Sequence, residues 1–233
     1  APAAAAPAEA AAEAPKATSF LWYAINASGT IGGVLLLLSI YMTAVVIRLF
    51  MEFRVNDAVP PPLVEKLEEA IKERKFQEAY DACREDNSFL ARMVRTGVAN
   101  LPNGRPEAKE AMNATSEEVV VSMESKVSYL AVIGTLGPML GLLGTVWGMI
   151  LAFQSISTSG AQPRPDQLAG NIATALFTTL EGVIVAVPAI FFFAMFRNRI
   201  SIISVETAKV AERTINAFWT AAKQQPGGAK APA

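Results

Sequence analysis

The chain has 233 residues, of which 52% are hydrophobic and only 18% charged. An average soluble domain carries about 25% charged residues, so this composition excludes an ordinary soluble globule. With no histidine, one cysteine, and 20 basic residues against 21 acidic ones, it also excludes imidazole catalysis, an internal disulfide, a CxxC site and a basic footprint for nucleic acid.

Residues 1–19 are dominated by Ala, Pro and Glu. They carry too few large apolar groups to offset ordering entropy and are expected to form a disordered tail. From Thr18 to Ile47 no charge occurs. A bilayer crossing needs about 20 apolar residues, so residues 20–51 are read as a first transmembrane helix. Trp22 and Tyr23 stand at its start, where amphipathic rings favour the headgroup layer. Arg48, Glu52 and Arg54 close it.

Pro60-Pro61-Pro62 ends one helix and suits the first turn of the next. Residues 52–126 are expected to form a small helical domain. A hairpin over Leu63–Asp86 is carried by Leu67, Ala70 and Ile71, then by Phe76, Ala79, Tyr80 and Cys83. A helix follows around Phe89–Leu101, and Leu101-Pro102-Asn103-Gly104 signals a turn.

From Pro106 one helical pattern runs unbroken for about fifty residues, with Met112, Ser116, Val120, Met123, Val127 and Leu130 spaced by threes and fours. Its first half is charged. Its second half, 127–156, is free of charge and is read as the second span. Residues 157–166, rich in Ser, Gly and Pro, are expected to be a loop. Residues 167–196 form the third span, and Ile200, Ile203, Thr207, Val210, Thr214 and Ala217 continue its spacing through 197–223. Residues 224–233 read as a second disordered tail.

The predicted fold is therefore an all-α membrane protein. It has three transmembrane helices, of which the second and third extend as long helices into the cytoplasm beside a small helical domain. Basic residues favour the cytoplasmic side. Eleven lie between Arg54 and Lys126, whereas the 157–166 loop carries only Arg164 and the first tail only Lys16. This places the N-terminus outside (the periplasmic side in a bacterial inner membrane) and the C-terminus inside. Cys83 then faces a reducing compartment.

Three patterns carry functional information. In the second span, Gly134, Gly137, Gly141, Gly144 and Gly148 are spaced three, four, three and four. They form a stripe on which another helix can pack closely. Pro138 and Pro188 interrupt the backbone hydrogen bonding of the second and third spans and are expected to kink or hinge them. Hydroxyls form the second pattern, with Thr145 in the second span and Thr174, Thr178 and Thr179 in the third. The third is Glu181, in the middle of the third span. A charge at the bilayer centre costs roughly 2.5 kcal/mol or more, so an intramembrane carboxylate is expected to face protein or water on an ion path. Thr174 and Thr178 share its helix face.

Two segments resemble a known family. Gly137-Pro138 followed by Gly141-Leu-Leu-Gly-Thr-Val-Trp-Gly-Met149 resembles the second-span signature of the MotA/TolQ/ExbB proton-channel family. Ala173-Thr-Ala-Leu-Phe-Thr-Thr-Leu-Glu-Gly-Val-Ile-Val-Ala-Val-Pro-Ala189 resembles its third-span signature. Three spans with the large loop after the first are similar to the ExbB/TolQ branch, since the MotA branch has a fourth. The resemblance implies a pentamer in the bacterial inner membrane around a single-span ExbD/TolR-like partner. Such a complex conducts protons to energise a TonB-like envelope protein in a process such as outer-membrane transport. It also implies that Thr145 and Thr179 are the pore threonines and line one cavity. Many members carry Glu where this chain has Thr174, and here the carboxylate stands two turns later, at Glu181. A Na⁺-driven member and a non-conducting scaffold are the alternatives. A solute carrier is disfavoured, because the spans show no internal repeat. No enzymatic activity, cofactor, metal or nucleic-acid partner is predicted.

Overall fold

The computed structural model describes residues 29–73, 75–158 and 165–223, and among these every regular element is helical. Helix α1 spans Gly29–Glu52, α2 Val55–Ala58, α3 Pro61–Lys72, α4 Phe76–Glu85 and α5 Phe89–Asn100. A 3₁₀ turn covers Leu101–Asn103, and two long helices follow, α6 at Arg105–Thr158 and α7 at Pro165–Lys223. The two tails, the start of the first span and residues 159–164 of the loop lie outside the described residues.

Local chemistry explains the breaks. Pro60 precedes α3, and two prolines fill its first turn, where a missing N–H is harmless. Ser88 caps α5, its hydroxyl accepting from the amide of Ala91 at 3.3 Å. Asp86 Oδ1 accepts from the amide of Ser88 at 2.7 Å. Gly104, at φ 133°, makes the left-handed turn into α6 that a side chain would resist. The short α2 has too few residues to show a period, and nothing in the sequence pattern signals it.

Helices α6 and α7 contain 54 and 59 residues. At 1.5 Å per residue they are about 80 Å and about 90 Å long, far beyond the roughly 30 Å of a bilayer's hydrocarbon core. The predicted long helices are therefore present. Both run on through their internal prolines, Pro138 and Pro188. Helices α1, α6 and α7 are each long and apolar enough to cross a membrane. Only 22–28% of the residues in their most apolar stretches are buried within the chain. The rest, including Leu37, Met139, Leu142, Phe153, Leu176 and Ile184, present bare apolar side chains. Water would not tolerate such a surface, whereas lipid or another apolar chain would. The protein is an all-α membrane protein.

The chain divides into two compact units. The first comprises, of its described residues, 29–39, 136–158 and 165–186. Apart from Leu35, its buried side chains are small or slender, and include Ala152, Ala175, Thr178, Val185 and Ala186. The second unit comprises, of its described residues, 40–73, 75–135 and 187–223. Its core is built from larger groups, among them Phe53, Leu67, Leu90, Met93, Leu130, Phe196, Ile200 and Ile203. Phe50, Phe53, Phe192 and Phe196 meet edge to face or tilted, the closest pair being Phe50 and Phe196 at 5.0 Å between centroids. Glu52, at the end of α1, pairs with Arg48 on its own helix and with Lys126 of α6. Farther along, Lys109 of α6 reaches Glu212 of α7 at 2.9 Å. That hydrogen bond and its charge hold the Glu212 carboxyl below the usual range. Cys83 is fully buried and free, and burial pushes its thiol up to about 11.

Candidate functional site

The first unit places α6 and α7 side by side in antiparallel order. Gly148 lies against Asn171 and Ala175, Gly144 against Thr178, Gly141 against Thr178 and Thr179, and Gly137 against Gly182 and Ala186. In the second unit Gly134 lies against Ile190. Ascending numbers on α6 meet descending numbers on α7.

The approach is close enough to be set by main chain. A Cβ on Gly141 would stand 3.0 Å from the Cα of Thr179 and 3.1 Å from the carbonyl oxygen of Thr178. One on Gly148 would stand 2.8 Å from the Cβ of Ala175. Lipid tails are as apolar as leucine, so helices in a bilayer associate through such fit rather than through hydrophobic burial.

The facing helix supplies half of this fit, and sequence reading of the α6 glycines alone misses it. Gly182, Ala175 and Ala186 carry the α7 side. Their signal was present in the small-residue spacing of α7 but is diluted by the abundance of alanine throughout the chain.

Each threonine hydroxyl donates to a carbonyl of its own helix, the behaviour expected of Thr inside helices. Thr145 donates to Leu142 at 2.7 Å, Thr174 to Gly170 at 3.0 Å and Thr178 to Ala175 at 2.8 Å. Thr179 is shared between Ala175 of its own helix and Gly141 of α6, both at 3.3 Å. The hydroxyl that ties the two helices is therefore that of Thr179, and its cross-helix partner is Gly141 rather than Thr145. Each hydroxyl oxygen keeps lone pairs that can accept from water or ligate a cation.

Thr178 is 1% exposed and packs onto Gly144. It is part of the helix seam, because its position three residues after Ala175 and four before Gly182 points it at α6. Thr174 and Glu181 lie on the flank of that seam, both half-buried. Glu181 immediately precedes Gly182, whose backbone meets that of Gly137 on α6. Pro138 is exposed and Pro188 half-buried. Among the described residues no group of His, Cys, Asp and Glu could hold a metal ion.

The chain matches known proteins over this region. The profile of the MotA/TolQ/ExbB proton channel family covers residues 85–209. The Tol-Pal system protein TolQ of Haemophilus influenzae is 34% identical over 112 residues, which are 45% of this chain and 47% of that protein. The biopolymer transport protein exbB1 of Vibrio cholerae serotype O1 is 39% identical over 66 residues, 28% of this chain and 29% of that protein. The biopolymer transport protein ExbB of Xanthomonas campestris pv. campestris (strain B100) is 40% identical over 74 residues, 32% of this chain and 29% of that protein. The matched part thus spans about half the length of the first relative and under a third of the other two. Among solved structures, that of C. jejuni MotAB is similar at a TM-score of 0.44 and 18% identity, over 88% of this chain and 74% of that one. The family profile spans more than half of the sequence, covering all of α6 and α7 as far as residue 209, and the chain belongs to the MotA/TolQ/ExbB proton channel family.

Proposed function

We propose that this chain is the ExbB/TolQ-like subunit of an ion-driven complex in the bacterial inner membrane, with its N-terminus periplasmic and its C-terminus cytoplasmic. Several copies, five by family resemblance, surround a single-span ExbD/TolR-like partner. Protons passing between them drive a TonB-like envelope protein. The observation that carries this reading is Glu181, a half-buried carboxylate inside an apolar helix, set beside the close contact of Gly182 with Gly137. Thr145, Thr174 and Thr179 supply hydroxyl oxygens along the same two helices, and Thr178 holds the pair together.

Glu181 is the proton-bearing group in this account. Its carboxyl can take up and release a proton, which an ion path through an apolar helix requires. The glycine seam keeps α6 and α7 in fixed register, so the flank that bears Glu181 and Thr174 faces one direction. The test is proton flux in vesicles that contain the chain and its single-span partner, driven by an imposed pH gradient. Flux above that of empty vesicles supports conduction, and assembly without flux supports the scaffold reading instead. Replacing Na⁺ by K⁺ in the same vesicles decides the ion.

A further inference from the structure

At the charged end of the second and third spans, α6 and α7 enclose a cavity of about 140 Å³ lined by Glu124, Val127, Ser128, Phe193, Arg197 and Ile200. Val127 begins the charge-free stretch of α6, and Arg197 ends the apolar stretch of α7. The cavity therefore lies at headgroup depth. Its floor is apolar, with Val127 and Ile200 each 1% exposed. Its rim carries one cation and one anion.

Those two charges are not spent elsewhere. Among the described residues neither Arg197 nor Glu124 forms a salt bridge, whereas the neighbouring Lys126 is paired with Glu52. Ser128 donates to the carbonyl of Ser125 at 2.7 Å and keeps its acceptor lone pairs. An unpaired guanidinium and an unpaired carboxylate at the rim of an apolar cavity call for a ligand with both charges and an apolar tail. Arginine matches phosphate oxygens in a bidentate manner. A carboxylate accepts hydrogen bonds from a primary ammonium.

We propose that this cavity binds the headgroup of a zwitterionic phospholipid with a primary amine, phosphatidylethanolamine. The phosphate lies on Arg197, the ammonium on Glu124, and the first acyl carbons on Phe193. An anionic headgroup satisfies only Arg197 and meets repulsion from Glu124. A trimethylated headgroup has no N–H to donate.

The test uses the full chain purified in mixed micelles containing equal amounts of phosphatidylethanolamine and phosphatidylglycerol with identical acyl chains. Native mass spectrometry counts the lipids retained per protomer. The wild type is expected to retain phosphatidylethanolamine over phosphatidylglycerol on the order of tenfold, the ratio one charge-assisted hydrogen bond confers. Glu124→Gln should bring the two close to parity while keeping lipid bound, and Arg197→Gln should lose both. Ser128→Phe fills the cavity without altering charge and should also lose the lipid, which keeps the test open if Arg197→Gln does not fold. Equal retention of the two lipids by the wild type overturns the proposal. So does wild-type retention of phosphatidylethanolamine in Arg197→Gln or in Ser128→Phe.

Discussion

Gly137 of α6 and Gly182 of α7 meet backbone to backbone: a Cβ on Gly182 would lie 2.5 Å from the carbonyl oxygen of Gly137, and one on Gly137 2.7 Å from that of Gly182. Main chain cannot rotate away as a side chain can. Gly182→Ala and Gly137→Ala should therefore each destabilise the helix pair by about 1–3 kcal/mol, as overpacking does. Gly170 lies on the same helix as Gly182 with nothing within 4 Å of an added Cβ. Gly170→Ala should be neutral or stabilising by up to about 1 kcal/mol through helix propensity. Unfolding by denaturing detergent reads all three, and equal effects at Gly170 and Gly182 would remove the seam from the account.

Gly97 provides the contrast. An added Cβ there would lie 2.7 Å from Met112 Sδ and 2.8 Å from Ile215 Cδ1. Both are ends of flexible side chains that can turn aside, and methionine yields easily. Gly97→Ala should change stability by less than about 1 kcal/mol, because the helix-propensity gain opposes the crowding. A loss comparable to that of Gly182→Ala, in the same unfolding measurement, would show that α5 is held by main chain as well.

Thr179 and Thr145 separate packing from transport. Thr179→Val removes the hydroxyl shared with Gly141 and should weaken the pair by about 0.6 kcal/mol, the average for such bonds in a membrane. Thr145 donates only within its own helix. Thr145→Val should leave stability within about 0.5 kcal/mol of the wild type, so lowered flux in that variant reports on the ion path itself. Stability and flux measured on the same preparations distinguish the two outcomes.

Cys83 is buried, and burial pushes its thiol up to about 11 from the ordinary 9.0. At pH 8 the folded protein then holds roughly a hundredfold less thiolate than the unfolded chain. The thiolate is the nucleophile, so alkylation by iodoacetamide should be slower in the folded protein by at least about that factor. It should accelerate as pH rises towards 11. The sign for stability follows: the folded state keeps its proton longer, so stability falls as pH rises from 9 towards 11. Alkylation at the unfolded rate at pH 8 would place Cys83 at the surface.

Much of the fold is legible in the sequence. Two apolar stretches continue into charged helices at the same three-four spacing, and α6 and α7 follow that continuity, since a helix does not end where its solvent changes. Gly104 and the Pro60 run mark breaks because backbone chemistry demands them. The α6 side of the seam is legible because glycine is conspicuous in an apolar helix. The α7 side is not, because Ala175 and Ala186 resemble every other alanine. The burial of Thr178 depends on how α7 is rotated about its axis, and contact with Gly144 sets that rotation. Spacing alone places Thr174, Thr178 and Glu181 on one face. It does not say which of them is covered by the neighbouring helix.

The proposed role of Glu181 is tested most directly by proton flux through Glu181→Gln, co-reconstituted with the single-span partner and compared with wild type under the same pH gradient. Glutamine keeps the size and much of the hydrogen bonding but cannot take up or release a proton. Intact assembly is expected, with flux reduced at least about a hundredfold, the lower end of what a positioned proton-transfer group contributes. Flux at the wild-type level in a correctly assembled Glu181→Gln complex would contradict it and make the carboxylate a packing group.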